Sequence, residues 1–405
     1  MGTNKLNFVL LTFISLLVSP KLNAQWIQSG PYNNFILAFE STGTRLFTGS
    51  YGGGVYLSSD NGINWIAVTP GLTNWYVSTL AVRGNILFAG TDDGMFLTTN
   101  NGTLWTHKGL SGKYIQTLAT DGTRLYAGTF GDGAFVTTNN GTSWSEINSG
   151  LNSDYIISIV LKDTFMFAGT WGGGVFRSSN YGGNWISANN GLTNLDVRSL
   201  AVIDTNIFAG TYGSGVFLSK NNGNSWTAVN NGLSNKTILP MTTSGTNIFV
   251  GTSGGGVFLS TDYGNNWSAI NSGLTNLGIA ALKVMGTRIF AGTVNTGVWR
   301  RPLSEVVARV EIETNITNDQ IYLYQNYPNP FNPTTRISFS IQENAFVYLK
   351  IFDSLGNEIT TLIAEQLGAG RYTKEWNARG CASGVYFYQL DADQHKESMK
   401  MILLK

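Results

Sequence analysis

One spacing constrains this chain more than any other feature. Tryptophan falls at Trp26, Trp65, Trp105, Trp144, Trp185, Trp226 and Trp267, at intervals of 39 to 41 residues. A second landmark keeps the same period: Phe47-Thr48-Gly49, Phe88-Ala89-Gly90, Tyr126-Ala127-Gly128, Phe167-Ala168-Gly169, Phe208-Ala209-Gly210, Phe249-Val250-Gly251 and Phe290-Ala291-Gly292. A repeat of this length is one supersecondary unit that cannot bury its own apolar face and must pack on its neighbours.

Each period divides into short apolar runs separated by Gly and Asn clusters, with no helical periodicity. In the fifth period, residues 197–202, 207–210 and 215–219 read as three strands and the Trp226 segment as a fourth. A period near 40 built from four strands is the pattern of propeller blades. The expected fold is all-β, a seven-bladed β-propeller followed by a small antiparallel β-sandwich. The seventh period runs through Gly297-Val298-Trp299 into Arg300-Arg301-Pro302 without a fourth strand. Residues 25–30 supply an unpaired one, so the N-terminal strand is expected to complete the last blade and cover its edge.

Between third and fourth strands runs a recurrent turn, Ser58-Ser59-Asp60-Asn61-Gly62-Ile63-Asn64-Trp65 and Ser260-Thr261-Asp262-Tyr263-Gly264-Asn265-Asn266-Trp267. Four more copies carry Asn100, Asn139, Asn180 or Asn221 at the Asp position. This turn resembles the Asp-box (BNR) repeat of sialidases, xyloglucanase-type glycosidases, sortilin-like receptors and photosystem II assembly factors. The resemblance implies a propeller and fixes no function. An Asx side chain caps its own turn, Gly supplies a positive φ, and Trp packs between sheets. One carboxylate per turn falls short of a calcium ligand set, so no metal or other cofactor is expected.

Residues 1–24 read as a signal peptide: Lys5, an apolar run over 8–18, and Leu22-Asn23-Ala24 before the cleavage point. That run is too short to span a membrane, and no stable span is expected after its removal. The formal charge of +1 gives no reason to expect nucleic acid as a partner. A single cysteine, Cys381, excludes an internal disulfide. Two histidines, His107 and His395, fall in different domains, which disfavours a histidine zinc site or a Ser-His-Asp triad.

The propeller is expected over 25–302, a linker over 303–320 and a second domain over 321–405. That domain opens on Tyr327-Pro328-Asn329-Pro330-Phe331-Asn332-Pro333 and continues with strand-like runs at 336–341, 347–352, 371–376, 385–390 and 399–404. The entry motif, Lys350-Ile351-Phe352-Asp353-Ser354-Leu355-Gly356, Gly384-Val385-Tyr386-Phe387-Tyr388 and the terminal 400–405 segment resemble the type A C-terminal sorting domain of the type IX secretion system. The resemblance implies the secretion machinery as a partner, passage through the periplasm, and residence at the cell surface or outside the cell. Cys381 then reads as a packing residue.

Alignment on the Gly landmark places Tyr51, Asp92, Phe130, Trp171, Tyr212, Ser253 and Val294 in the loops between second and third strands. Phe35, Tyr76, Tyr114, Tyr155, Asp196, Thr237 and Gly278 open the first strands. Rings gather in the first five blades and vanish from the last two. Core positions would keep a bulky apolar residue in all seven, so Phe35, Tyr51, Tyr76, Tyr114, Phe130, Tyr155, Trp171 and Tyr212 are the candidate ligand-binding arc, for a polysaccharide or protein ligand. Packing between neighbouring loops is the alternative role for these rings. A glycosidase would need two carboxylates across the scissile bond, and Asp92, Asp93, Asp132, Asp154 and Asp196 lie on this face. Arginines are dispersed, against a sialidase-like grip on a substrate carboxylate. Binding module, glycoside hydrolase and scaffold all remain open at the level of sequence.

Overall fold

The computed structural model describes residues 25–306, 322–341, 343–392 and 395–404. The expected signal peptide, and the linker beyond residue 306, lie outside the described residues. The chain divides into two compact units, residues 1–314 and 315–405.

Among the described residues, the first unit holds seven four-stranded antiparallel sheets. Their first strands are Ile36–Thr42, Val77–Arg83, Ile115–Thr120, Ile156–Lys162, Val197–Ile203, Ile238–Ser244 and Ile279–Met285, which open sheets 1 to 7. Each lies beside the first strand of the next sheet, and Ile279–Met285 lies beside Ile36–Thr42, so the series closes on itself. Sheet 5 continues with Asn206–Thr211, Gly215–Ser219 and Thr227–Ala228. Sheet 7 takes its fourth strand from the N-terminus: Ile27–Gln28 pairs antiparallel with Gly297–Pro302, Gln28 opposite Trp299.

The Gly landmark has a steric cause. The residue opening each first strand, from Ile36 through Val197 to Ile279, is fully buried. It packs against the landmark glycine of the preceding sheet. A Cβ on Gly210 would stand 2.6 Å from Ile238 Cγ2, and one on Gly292 would stand 2.5 Å from Ile36 Cγ2 across the closing seam. No side chain fits at that separation, so the close approach requires glycine in every copy. The landmark ring before it, Phe47 through Phe290, is buried in all seven sheets.

Tryptophan does a second job. The indole N–H of Trp105 donates to Val68 O at 2.7 Å, that of Trp226 to Ala188 O at 2.7 Å, and that of Trp267 to Val229 O at 2.8 Å. Trp26, Trp144 and Trp185 make the same bond to the preceding sheet. Trp65, at the seam between sheets 7 and 1, has no partner for its buried N–H. That seam carries an ion pair instead, Lys283 Nζ to Glu40 Oε1 at 2.7 Å. The register places Ala81, Ala119, Val160, Ala201 and Thr242 at the equivalent positions of the other sheets. Beyond sheet 7 the chain stays packed through Leu303 and the buried Val306.

The second unit has a four-stranded sheet in the order Glu358–Leu367, Ala345–Phe352, Gly384–Ala392, His395–Leu403, and a three-stranded sheet of Tyr322–Leu323, Thr334–Ile341 and Gly370–Asn377. Both contribute to one core, with Ile337 and Phe339 from the smaller sheet and Val347, Leu349 and Leu390 from the larger. Its Pro-rich entry is tied down by polar contacts. Buried Asn326 donates from Nδ2 to Thr335 Oγ1 at 2.9 Å, and its backbone N–H donates to the Tyr388 hydroxyl at 2.8 Å. The Tyr388 hydroxyl in turn donates to Tyr324 O at 2.7 Å, and burial pushes its pKa up. Cys381 is half-buried against this core. Among the described residues no helix is long and apolar enough to cross a membrane.

Candidate functional site

The seven sheets of the first unit present two ends to solvent, and the ends differ. At one end lie the turns between third and fourth strands. Here Asp60 Oδ1 accepts from Asn64 N at 2.9 Å, Ile63 N at 3.0 Å and the Ser58 hydroxyl at 2.8 Å, while Oδ2 accepts from Asn64 Nδ2 at 2.7 Å. The Asn64 backbone bond leads in holding its carboxyl at a pKa of about 2. Asp262 repeats the arrangement, with Asn266 N at 2.9 Å. Asn100, Asn139, Asn180 and Asn221 accept the same backbone bond through a neutral amide oxygen. The turn therefore needs an acceptor rather than a charge. A shallow cleft on this side is lined by Phe165, Arg177, Ser179, Asn180, Asn184 and Ile186. Its arginine is already engaged, donating to Asn222 O at 2.7 Å and Asn224 Oδ1 at 2.9 Å.

At the other end, one backbone bond recurs in all seven sheets. The N–H of the loop residue after the second strand donates to the carbonyl of the residue that precedes the first strand. The pairs are Tyr51–Phe35, Asp92–Tyr76, Phe130–Tyr114, Trp171–Tyr155, Tyr212–Asp196, Ser253–Thr237 and Val294–Gly278, at 2.9 to 3.2 Å. The backbone is thus equivalent throughout while the side chains are not.

Two groups of rings form on this frame. Tyr51 stands between Phe35 at 6.2 Å and Tyr76 at 4.5 Å between ring centroids. Phe130 contacts Tyr114 at 5.7 Å, Tyr155 at 4.8 Å and Trp171 at 5.2 Å. Tyr51, Tyr76, Tyr155, Trp171 and Tyr212 are exposed, Trp171 by 46% and Tyr212 by 50%. Phe35, Tyr114 and Phe130 are half-buried beneath or beside them. The eight sequence candidates therefore divide into five exposed rings and three that support them.

Two residues escaped the sequence reading. Trp75 is exposed next to Tyr76, with its indole N–H on Leu72 O at 3.0 Å. Arg198 looked dispersed among the other arginines. Its guanidinium lies 5.3 Å from the Trp171 ring centroid and 4.9 Å from that of Tyr212, joining the two exposed rings into one surface. Its place immediately after the first strand's opening residue was the available signal.

The five candidate carboxylates do not converge as a set. Asp132 is paired with Lys113 at 2.7 Å. Asp196 is paired with Arg198 at 2.6 Å. Asp93 Oδ1 accepts from Gly112 N at 2.6 Å. Asp154 is exposed, its backbone carbonyl accepting from Gly131 N and Gly133 N. Asp92 and Asp196 are both half-buried with one carboxylate oxygen lacking a hydrogen-bond partner, but only Asp196 has a cation beside it; Asp92 has no ion-pair partner among the described residues. Burial pushes its pKa up. Burial also raises the Tyr114 hydroxyl, with the charges of Asp92 and Tyr51 adding to it. Among the described residues no group of acidic, histidine or cysteine side chains is arranged to hold a metal ion.

Comparison with known proteins agrees with this division of the chain. Residues 325–404 match the secretion system C-terminal sorting domain, and export to the cell surface or the extracellular space follows from that match. No curated protein matches the chain. Among solved structures, the extracellular domain of a hybrid two-component system from B. thetaiotaomicron is 13% identical with a TM-score of 0.60, over 94% of this chain and 57% of that one. PorZ, a bacterial surface component of the type IX secretion system of Porphyromonas gingivalis, is 16% identical with a TM-score of 0.54, over 93% of this chain and 60% of that one. YCF48 from Cyanidioschyzon merolae is 18% identical with a TM-score of 0.55, over 70% of this chain and 99% of that one. The chain thus spans little more than half the length of the first two. At these identities the likeness is one of fold: the protein is all-β and built on a propeller architecture.

Proposed function

We propose that this protein is an exported propeller of seven Asp-box-type blades, closed by its N-terminal strand, that binds a polysaccharide or protein ligand through the aromatic end of its ring. The second unit, a small β-sandwich, delivers it through the type IX machinery. The observation that carries the reading is the contrast between an invariant backbone frame and side chains that vary around it. Trp171 and Tyr212 are exposed and share the Arg198 guanidinium, a combination that suits stacking on sugar faces or on partner side chains. Beside them Asn194 Nδ2 donates to Tyr212 O and the Ser153 hydroxyl to Trp171 O.

The rival reading is a glycoside hydrolase, and the unpaired, half-buried Asp92 is the observation that favours it. A raised pKa suits a proton donor, but hydrolysis also needs a second carboxylate placed across the bond. Retention of the intact chain on soluble and insoluble polysaccharides, assayed together with release of reducing ends, separates the two. Retention without cleavage, lost in Trp171→Ala, supports binding. Cleavage that disappears in Asp92→Asn or Asp132→Asn supports the hydrolase and overturns the binding reading. Neither retention nor cleavage excludes those polysaccharides and moves the ligand search to proteins.

A further inference from the structure

The two acidic residues in the aromatic rows are placed in related ways. In sheet 5, Asp196 precedes the first strand and Tyr212 fills the loop; in sheet 2, Tyr76 precedes the strand and Asp92 fills the loop. Asp92 takes a place that both neighbouring sheets give to a ring, Tyr51 and Phe130, and Asp196 one that sheet 4 gives to Tyr155. In sheet 5 the protein provides its own counter-ion. Arg198 follows the opening Val197, pairs with Asp196 and lies over Trp171 and Tyr212. In sheet 2 the residue following the opening Val77 is Ser78, whose hydroxyl meets the Tyr114 hydroxyl at 3.4 Å. Lys113, whose backbone carbonyl accepts from Gly94 N at this end of the sheet, is held by Asp132. Asp92 is left with rings in the row on both sides and no ion-pair partner among the described residues.

A half-buried carboxylate without a partner is unfavourable, and bordering ring faces attract positive charge. We propose that this gap in sheet 2 is a subsite for the ammonium group of an amino sugar, held by Asp92 and flanked by Tyr51, Tyr76 and Tyr114. It rests on the reading of the aromatic end as a ligand surface and names the chemistry recognised there. The carboxylate sits in the same row as the rings, so a cation bonded directly to a stacked sugar ring reaches it without a long tether. The ligand's cation takes the role that Arg198 plays in sheet 5.

The test measures calorimetric binding of a glucosamine hexasaccharide and its fully N-acetylated counterpart to the intact chain. A lysine-containing hexapeptide and its acetyl-lysine form provide a second pair. The free-amine sugar is expected to bind about tenfold or more tightly than the acetylated one at low salt, and to lose that preference as salt rises. Asp92→Asn, nearly isosteric, removes the preference. Ser78→Arg removes it by a second route, supplying an internal cation as sheet 5 does. Equal affinity of the two sugars, or a preference that survives in Asp92→Asn, overturns the proposal. An amine preference confined to the peptide pair overturns the sugar assignment. Neutral-glycan binding that depends on Trp171 without any amine preference leaves the proposed function standing and removes this subsite alone. No binding by any probe at either residue removes both.

Discussion

The two ends of the propeller unit treat their loops differently. At the turn end, six copies repeat one hydrogen-bonding scheme in which Asp and Asn are interchangeable, down to the Ser or Thr hydroxyl that donates to each. At the aromatic end the backbone repeats in all seven sheets while the side chains run from tryptophan to glycine. Repetition of a side chain marks a requirement of the fold, because every sheet meets the same neighbours. Variation on a repeated backbone marks a position released from that requirement. The contrast is the ground on which structure is proposed for one end and recognition for the other.

If the contrast is sound, substitutions at repeated positions cost stability and spare binding. Deleting residues 25–30 has the largest expected effect. It removes the strand paired with Gly297–Pro302 and the buried Trp26, for a loss of about 4 kcal/mol or more in thermal unfolding. An unchanged melting temperature would break the closure argument. Gly210→Ala follows, at about 2–4 kcal/mol, because its Cβ would stand 2.6 Å from Ile238 Cγ2. Trp226→Phe is expected to cost about 1–2 kcal/mol through the lost indole bond, whereas Trp65→Phe, with no such bond, costs clearly less. Equal costs would show that the indole tie contributes nothing.

The smallest expected effect is Asp60→Asn, within about 0.5 kcal/mol at neutral pH, since Asn serves four other turns. The pH dependence sharpens this. The folded-state pKa of Asp60, about 2, lies below the 3.8 of a free aspartate, so its charged turn is stabilised above the unfolded value. That contribution fades as pH falls from 4 toward 2. Asp60→Asn should flatten this part of the acid limb in a melting-temperature series. An acid limb unchanged by the substitution would place the titration elsewhere.

Much of this architecture is legible in the sequence because a repeat averages out local ambiguity. Seven copies of the Gly landmark align the strands even though each fourth strand is only two residues long. The second unit has no such redundancy, and there Glu358–Leu367 passed unrecognised. It is an edge strand, largely exposed, whose Thr, Glu and Gln residues break the alternation that betrays a half-buried strand. Within the candidate site, the aromatic rows were readable from the alignment alone. Arg198 was not, because its role depends on rings contributed by two sheets. Nor does sequence separate Asp92 from Asp132 and Asp196. All three are carboxylates on one face, and only the spatial neighbourhood shows that two are paired and one is not.

The most direct test compares two ring deletions at opposite ends of sheet 4. Trp171 stands in the aromatic loop, and Tyr181, 45% exposed, stands in the third-to-fourth strand turn beneath the Arg124 guanidinium. Retention of the intact chain, Trp171→Ala and Tyr181→Ala on a polysaccharide that the parent protein binds measures the claim. The expected result is that Trp171→Ala loses retention by at least about tenfold with its melting temperature preserved, while Tyr181→Ala binds as the parent does. Loss of retention in Tyr181→Ala with full binding by Trp171→Ala would place recognition at the turn end and contradict the assignment.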